Sequence, residues 1–199
     1  MAITNGYCTL AEVKAASKFT DTSYDTILEK LIEGASRRID GYCGRFFYQV
    51  ANTAISFFPT SDMTCALPDV ASSTMTVKTD DDGDGVYETT WSTSQYRLEP
   101  LDAVLQTRPY NRISTTGARL FPTPTYPRLA TLQITATWGW AEIPDDVREA
   151  CILLTMRMFS RYNSPLGVAG FGDMGAVTVR TVDPDVRDAL APYVLMGIA

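Results

Sequence analysis

The spacing of apolar residues changes twice along this chain, and each change predicts a change of secondary structure. From Tyr24 to Ile39, apolar residues recur every three or four positions, which is the spacing of one helical face. In LATLQITATWGW, Leu132, Ile134 and Ala136 alternate with polar residues, as in a strand with one buried face. Helical spacing returns in IPDDVREACILLTMRMFSRYN. The pattern therefore predicts a β-rich segment between two helical segments.

Local signals predict where the first helices begin and end. Thr9, followed three residues later by Glu12, is a capping box that opens a short helix in LAEVKAASK. Thr22 is the predicted N-cap of the second helix. Gly41 and Gly44 are expected to end that helix.

Charged residues and prolines support the remaining helix boundaries. Arg37 and Arg38 fall near the predicted C-terminus of the second helix, where cations complement the helix dipole. We interpret them as helix capping, with an interface role as the alternative. Pro144 suits the first position of the long third helix. Asp183 followed by Pro184 predicts the start of a last helix in DPDVRDALAPYV.

The central segment is rich in strand-forming residues. STMTVKT, VYETTWS, YRLEP and LATLQITATWGW are predicted strands. Residues 108–128 contain four prolines and a glycine, so we expect mainly loop or edge strand there. The predicted fold is α+β: a small helical bundle from the N- and C-terminal parts, with an inserted antiparallel β-subdomain. Its predicted parts are a helical part at 1–49, the β-rich subdomain at 50–141, a long helix completing the bundle at 142–165, and a glycine-rich C-terminal arm with a short terminal helix at 166–199.

The composition disfavours catalysis and a tight grip on nucleic acid. The chain of 199 residues contains no histidine, which is the usual general base and the commonest metal ligand. No G-x-S-x-G or phosphate-loop motif is present. The net charge of −6 leaves few cations to hold phosphates, although nucleic acid could still pass nearby without being held. We therefore predict a protein that is not an enzyme.

The cysteines and the apolar runs suggest a protein made in a reducing compartment. The four cysteines contain no C-x-x-C pair, so a zinc knuckle is not expected. Two disulfides would be compatible with the even count, but Cys43 and Cys151 lie in helical apolar patterns, and we predict free thiols. The N-terminus lacks the pattern of a signal peptide, and no apolar run approaches the ~20 residues that span a membrane. We expect a soluble chain made inside the cell.

The stretch TDDDGDGVYETTW, residues 79–91, matches half of an EF-hand calcium loop. Its ligand positions 1, 3, 5 and 9 are Asp80, Asp82, Asp84 and Glu88. Position 12 should be a bidentate Glu and is Trp91 here, and strand-like residues replace the flanking helices. An Asp-Gly pair between alternating apolar runs also predicts a hairpin. We therefore predict a hairpin turn with a solvated acidic tip, with calcium binding by these four acids as the alternative.

Several segments together resemble a known family. They are YCTLAEVKA, IDGYCGRFFY, the hairpin DDDGDGVYETTW leading to YRLEP, TWGWAEIPDDVREA, and the final DPDVRDALAPY. This pattern resembles the head–tail connector, or adaptor, proteins of long-tailed double-stranded DNA bacteriophages and related gene-transfer particles. The resemblance covers nearly the whole chain, and it matches the longer members that carry a β-rich insertion in a small helical bundle.

The resemblance implies a structural role in a virion, with assembly in the host cytoplasm. It implies a homo-oligomeric ring of about twelve copies beneath the portal, with a channel that passes DNA without binding it specifically. The partners it implies are further copies, the portal protein and the next neck or tail protein. It implies no catalysis and no required cofactor. It also gives the C-terminal arm a use as a subunit or portal contact, to which we assign Gly167, Phe171, Met174, Val177, Val179, Tyr193 and Leu195.

Two other functions remain open at this point. One is a different neck or tail-completion protein of the virion, and the other is a calcium-binding interaction module. For the arm, we expect that deleting residues 167–199 spares the fold of the preceding chain and blocks assembly.

Overall fold

The structure is a computed structural model, and it describes residues 3–18, 20–59, 61–123, 129–163 and 184–195. The helices in these residues are α1 (Leu10–Ser17), α2 (Asp25–Cys43), α3 (Asp145–Asn163) and α4 (Pro184–Leu190), with a 3₁₀ turn at Ala191–Tyr193. The strands are β1 (Val50–Phe57), β2 (Thr64–Thr79), β3 (Thr89–Thr90), β4 (Tyr96–Glu99), β5 (Tyr110–Thr115) and β6 (Leu132–Trp138). The predicted α+β class is confirmed.

The six strands described form one antiparallel sheet in the order β1-β6-β2-β5-β4, and β3 pairs with β2. The long strand β2 lies at its centre. Its first residues pair with β5 and its last residues pair with β6, and Val70 is paired on both sides. This strand of 16 residues also pairs with β3, and its register shifts in the pairing with β5 and in the pairing with β6.

The chain divides into two compact units. The helical unit consists of Met1–Tyr48 with Ile143–Ala199, and the sheet unit is Gln49–Glu142. Buried residues of the helical unit come from one face of each helix, whereas those of the sheet unit come largely from alternate positions of its strands. No helix in the described part of the chain combines the length and apolar character needed to cross a membrane.

The N-terminal helices follow the predicted pattern, with two corrections at α2. The capping box of Thr9 and Glu12 is present at the start of α1. The N-cap of α2 is Tyr24, not Thr22, and no side chain caps this end. Gly44, with φ of 68°, forms the C-cap of α2, whereas Gly41 lies inside the helix. Among the predicted apolar residues of α2, Leu28, Ile32, Ala35 and Ile39 are buried, Ile27 and Leu31 are half-buried and Tyr24 is exposed.

The helices after the sheet also differ in detail from the prediction. Pro144 precedes α3, which begins at Asp145, whereas Pro184 is the first residue of α4 as expected. The predicted apolar face of α3 buries Val147, Ala150 and Cys151, half-buries Leu154 and Met158, and leaves Tyr162 exposed. Thr155 and Phe159 are buried on α3 although the spacing did not single them out. Asp183 and the possible strand AVTVRTV lie outside the described residues.

In the sheet, the alternation predicted for β6 is confirmed. The strand predicted in STMTVKT begins earlier, at Thr64, and only Thr89–Thr90 of the predicted strand VYETTWS pairs. Two further strands depart from expectation. The first, β1, was not predicted, because most of its side chains are exposed and its sequence lacks an apolar alternation. The second, β5, lies in the proline-rich segment 108–128, where mainly loop or edge strand was expected. It pairs with both β2 and β4 and is therefore an internal strand. Pro109 and Pro122 flank it without interrupting its hydrogen bonds.

Candidate functional site

The acidic loop joins β2 to β3, as the hairpin interpretation predicts. Asp80 is buried, and its carboxylate accepts hydrogen bonds from the backbone N–H groups of Gly83, at 2.6 Å, and Gly85, at 2.8 Å. Both glycines have positive φ, 81° and 89°, which other residues rarely adopt. The four predicted ligands come together, with one oxygen of each carboxylate within 4.8 Å of the others. They are Asp80, Asp82, Asp84 and Glu88.

The remaining acids of this loop accept hydrogen bonds from nearby backbone. Asp82 Oδ1 accepts from the N–H of Asp84 at 3.3 Å, and Asp84 Oδ1 accepts from the N–H of Val86 at 2.8 Å. Glu88 Oε1 accepts from the N–H of Asp81 at 3.0 Å. Backbone donors thus hold the acidic side chains in a turn of defined shape.

Asp81 fastens the loop to the rest of the sheet unit. Its carboxylate accepts hydrogen bonds from the hydroxyl groups of Thr79 and Thr89, both at 2.8 Å, and forms an ion pair with Arg119. Burial alone would raise the pKa of Asp81, but the hydrogen bonds from Thr89 and Thr79 and the charge of Arg119 outweigh it and lower the pKa. The folded protein therefore favours the ionised form of Asp81.

Position 12 of the EF-hand pattern lies in the core of the sheet unit. Trp91 is 4% exposed, stacks on Phe121 with ring centroids 4.9 Å apart, and donates a hydrogen bond from Nε1 to Thr79 Oγ1 at 3.0 Å. The guanidinium of Arg119 lies 5.5 Å from the Trp91 ring centroid. This position therefore supplies hydrophobic anchoring in place of the bidentate carboxylate of an EF-hand.

Calcium titration separates the turn interpretation from the metal interpretation. We expect no saturable heat in calorimetry with calcium up to about 1 mM, because the bidentate ligand of an EF-hand is replaced by a buried tryptophan. The matched control is the double variant Asp82→Ala with Asp84→Ala. A saturable isotherm in the parent chain that is lost in this variant, with a calcium-dependent rise in melting temperature, would establish calcium binding instead.

The predicted contact residues of the C-terminal arm fall into two groups. Gly167, Phe171, Met174, Val177 and Val179 lie outside the described residues. Tyr193 follows α4, packs edge-on against Phe47 with ring centroids 5.8 Å apart, and donates a hydrogen bond to Asp146 Oδ2 at 3.1 Å. Leu195 is 44% exposed, and its N–H donates to the carbonyl of Cys43 at 2.9 Å. Tyr193 thus helps hold the turn after α4 on the helical unit, and a contact role for both residues stays a prediction.

The packing of α4 limits how the C-terminal arm can be tested. Val186 and Leu190 of α4 are buried in the helical unit. Deleting residues 167–199 would remove these two core residues, so the expectation that this deletion spares the fold is corrected. A test of the arm has to leave α4 in place.

Arg37 belongs to a polar cluster that the sequence patterns did not reveal. It pairs with Asp40 at 2.9 Å and donates to the carbonyl of Asn5 at 3.0 Å. Its guanidinium lies 5.6 Å from the ring centroid of Tyr7 and 5.0 Å from that of Tyr48. Since α2 continues to Cys43, Arg37 and Arg38 precede its last turn, and the interpretation of both as C-terminal capping is wrong.

Tyr7 is the centre of that cluster. Its hydroxyl donates a hydrogen bond to Asp40 and accepts one from the N–H of Phe47 at 2.8 Å. Burial, followed by the hydrogen bond to Asp40, raises the pKa of Tyr7, and burial also raises the pKa of Asp40. The N-terminal segment, α2 and the chain that follows α2 are joined at this one side chain.

The four cysteines are buried thiols that form no disulfide. Cys8 and Cys151 lie close together, and Cys8 Sγ donates to Cys151 Sγ at 3.4 Å. This hydrogen bond, together with burial, raises the pKa of Cys8. No native thiol is exposed to solvent, so an introduced surface cysteine can be modified selectively.

Comparison with known proteins gives matches among solved structures. No protein-family model matches the chain, and no curated protein matches it significantly. The neck of an empty gene transfer agent (GTA) particle, computed with C6 symmetry, contains a chain 19% identical to this one, with a TM-score of 0.56. The virion of the native gene transfer agent (GTA) particle contains a chain 20% identical, with a TM-score of 0.58. Each match covers 100% of this chain and 95% of the other, so this chain has, over its whole length, the fold of proteins in the neck and virion of gene transfer agent particles.

Proposed function

We propose that this chain is a structural protein of the neck of a phage-like particle. In this role its copies form a ring between the capsid portal and the tail, and DNA passes through the central channel. The observation that carries the proposal is the whole-length likeness of fold to a chain of a particle neck. A ring of about twelve copies is a multiple of the sixfold symmetry with which that neck was computed.

The charge of the chain supports a channel through which DNA slides. A surface that binds duplex DNA uses Lys and Arg to neutralise phosphates. This chain has 17 such residues against 23 acids, and these acids include the exposed carboxylates of the acidic loop. Weak attraction to phosphates suits a channel that must not retain DNA.

Assembly on a portal protein is the direct test. Light scattering and electron microscopy are run on the purified chain alone and with portal protein, and a ring with an open centre is expected at least in the sample with portal. The portal sample is needed because a neck protein can stay monomeric until the portal presents a docking surface. A chain that remains monomeric and unbound in both samples contradicts the proposal.

The arm can be tested in the same assay without removing α4. The triple variant Phe171→Ser, Met174→Ser and Val177→Ser is expected to keep the melting temperature of the parent chain and to lose ring formation or portal binding. The matched control is Leu120→Ser, an exposed apolar residue of the sheet unit. Normal assembly of the triple variant would contradict the contact role assigned to the arm.

A tail-completion protein is the alternative within the same structural class. It would bind tail components and would not bind the portal. Binding assays with portal and with tail proteins side by side separate the two.

A further inference from the structure

The loop between β4 and β5, residues 101–107, presents an aliphatic surface to solvent. Leu101 is 74% exposed, Val104 is 76% exposed and Leu105 is 87% exposed. They are the three most exposed large hydrophobic residues in the described part of the chain. We call residues 101–107 the tip loop. Clustered exposure of this kind is typical of a surface that is covered by a partner.

Hydrogen bonds hold the tip loop in one shape. The N–H of Ala103 donates to the carbonyl of Pro100 at 3.2 Å, and the N–H of Arg108 donates back to the carbonyl of Ala103 at 3.0 Å. Ala103 itself is 1% exposed, so it anchors the loop to the sheet unit while the larger aliphatic side chains point outward. A loop that is already ordered loses little conformational entropy when it binds.

The helical unit carries an apolar groove between α2, α3 and α4. It encloses a cavity of about 110 Å³. Its apolar lining consists of Ile39, Leu154, Val186 and Leu190. Apolar cavities on the order of 150 Å³ accept a benzene-sized group, so a groove of this size can take one aliphatic side chain.

The charges beside the two surfaces are opposite. Arg38 and Arg187 line the groove. Asp102 lies in the tip loop among its aliphatic residues, where its carboxylate accepts a hydrogen bond from Gln106. Opposite charges around a small apolar contact favour one orientation and disfavour wrong partners.

A closed ring of identical chains needs two different surfaces on each chain that fit one another. The tip loop and the groove provide such a pair. The tip loop is a protruding apolar surface that carries Asp102, and the groove is a recessed apolar surface lined by Arg38 and Arg187. We propose that the tip loop of one copy inserts Leu105 into the groove of the next copy, with Asp102 facing Arg38 and Arg187. This inference rests on the proposed ring and names the contact between its subunits.

Site-directed cross-linking tests this contact. Tyr42 lines the groove and is 39% exposed, so the double variant Leu105→Cys with Tyr42→Cys places one new thiol on each surface. Because the native cysteines are buried, a short bismaleimide is expected to link copies into a ladder of covalent oligomers. The matched control is Val86→Cys with Tyr42→Cys, since Val86 is 58% exposed at the acidic hairpin and outside the proposed contact.

The outcomes separate this inference from the proposed function. The experiment is run on the assembled form, alone or on portal protein, with light scattering of the same sample. A ladder in the Leu105 pair and none in the Val86 pair supports the contact. Rings without a ladder in the Leu105 pair, or equal ladders in both pairs, overturn the contact and leave the ring in place. Absence of rings in the parent chain, with and without portal, overturns both proposals.

Charge reversal gives an independent test that avoids cysteine chemistry. Asp102→Lys is expected to raise the concentration needed for half-maximal assembly about tenfold, because like charges then meet in the contact. Arg187→Glu is expected to do the same, and the combined variant is expected to recover assembly. Both positions are exposed, so the melting temperature should change little. Additive losses in the combined variant would overturn the pairing.

Discussion

Replacing Trp91 by Ala is expected to destabilise the sheet unit by about 3–5 kcal/mol, the usual loss for a buried aromatic side chain. Trp91 is 4% exposed and stacks on Phe121, so the substitution leaves a cavity beside that ring. It also leaves Thr79 Oγ1 without the indole donor. The loss should appear in urea denaturation followed by circular dichroism, as a lower midpoint with an unchanged slope.

The control for this substitution lies in the same hairpin. Val86→Ala removes an exposed apolar side chain and is expected to change the free energy of unfolding by no more than about 0.5 kcal/mol. If Trp91→Ala costs less than about 1 kcal/mol, position 91 does not anchor the hairpin, and the structural argument against an EF-hand at this loop fails with it.

Replacing Tyr7 by Phe is expected to destabilise the helical unit by about 2 kcal/mol. The ring remains, and only the hydroxyl is lost. The N–H of Phe47 then loses its buried acceptor, and an unsatisfied buried donor carries a penalty. Half-buried Asp40 loses the hydrogen bond from Tyr7 but keeps its ion pair with Arg37. Thermal and urea unfolding both measure this loss.

A second readout identifies the cause of that loss. Burial raises the pKa of Asp40, and the hydrogen bond from Tyr7 opposes this rise. In the Tyr7→Phe variant the pKa of Asp40 should therefore rise further, which NMR titration of its carboxyl carbon can follow. Tyr162→Phe is the matched control, because Tyr162 is exposed on α3 and should leave both quantities unchanged. An unshifted Asp40 in Tyr7→Phe would contradict the hydrogen bond.

Features encoded by neighbouring residues could be predicted from the sequence. The capping box at Thr9, the C-cap at Gly44 and the alternation of β6 depend on residues a few positions apart, and the structure confirms them. The approach of the four loop acids is also local, since they span residues 80–88. The spacing of the EF-hand motif therefore predicted that these four carboxylates would lie close together.

Features that depend on distant pairing could not be predicted. The edge strand β1 exposes most of its side chains, so its conformation is defined by its pairing with β6, about 80 residues later. The cluster at Tyr7 joins residues 33 positions apart in the case of Asp40. No periodicity in the sequence marks such a contact. The apolar groove combines α2, α3 and α4, and it becomes visible only when these helices pack together.

The pairing of β1 with β6 has a consequence for how the chain can evolve. These are the first and last strands of the sheet unit, and Val50 pairs with Trp138. The side chain of Gln49 also donates a hydrogen bond to the carbonyl of Ala141 at 2.7 Å. The polypeptide thus enters and leaves the sheet unit at neighbouring points, so the unit can be gained, lost or exchanged as one block. Selection can then reshape its exposed loops to suit a new neighbour while the helical core keeps its sequence.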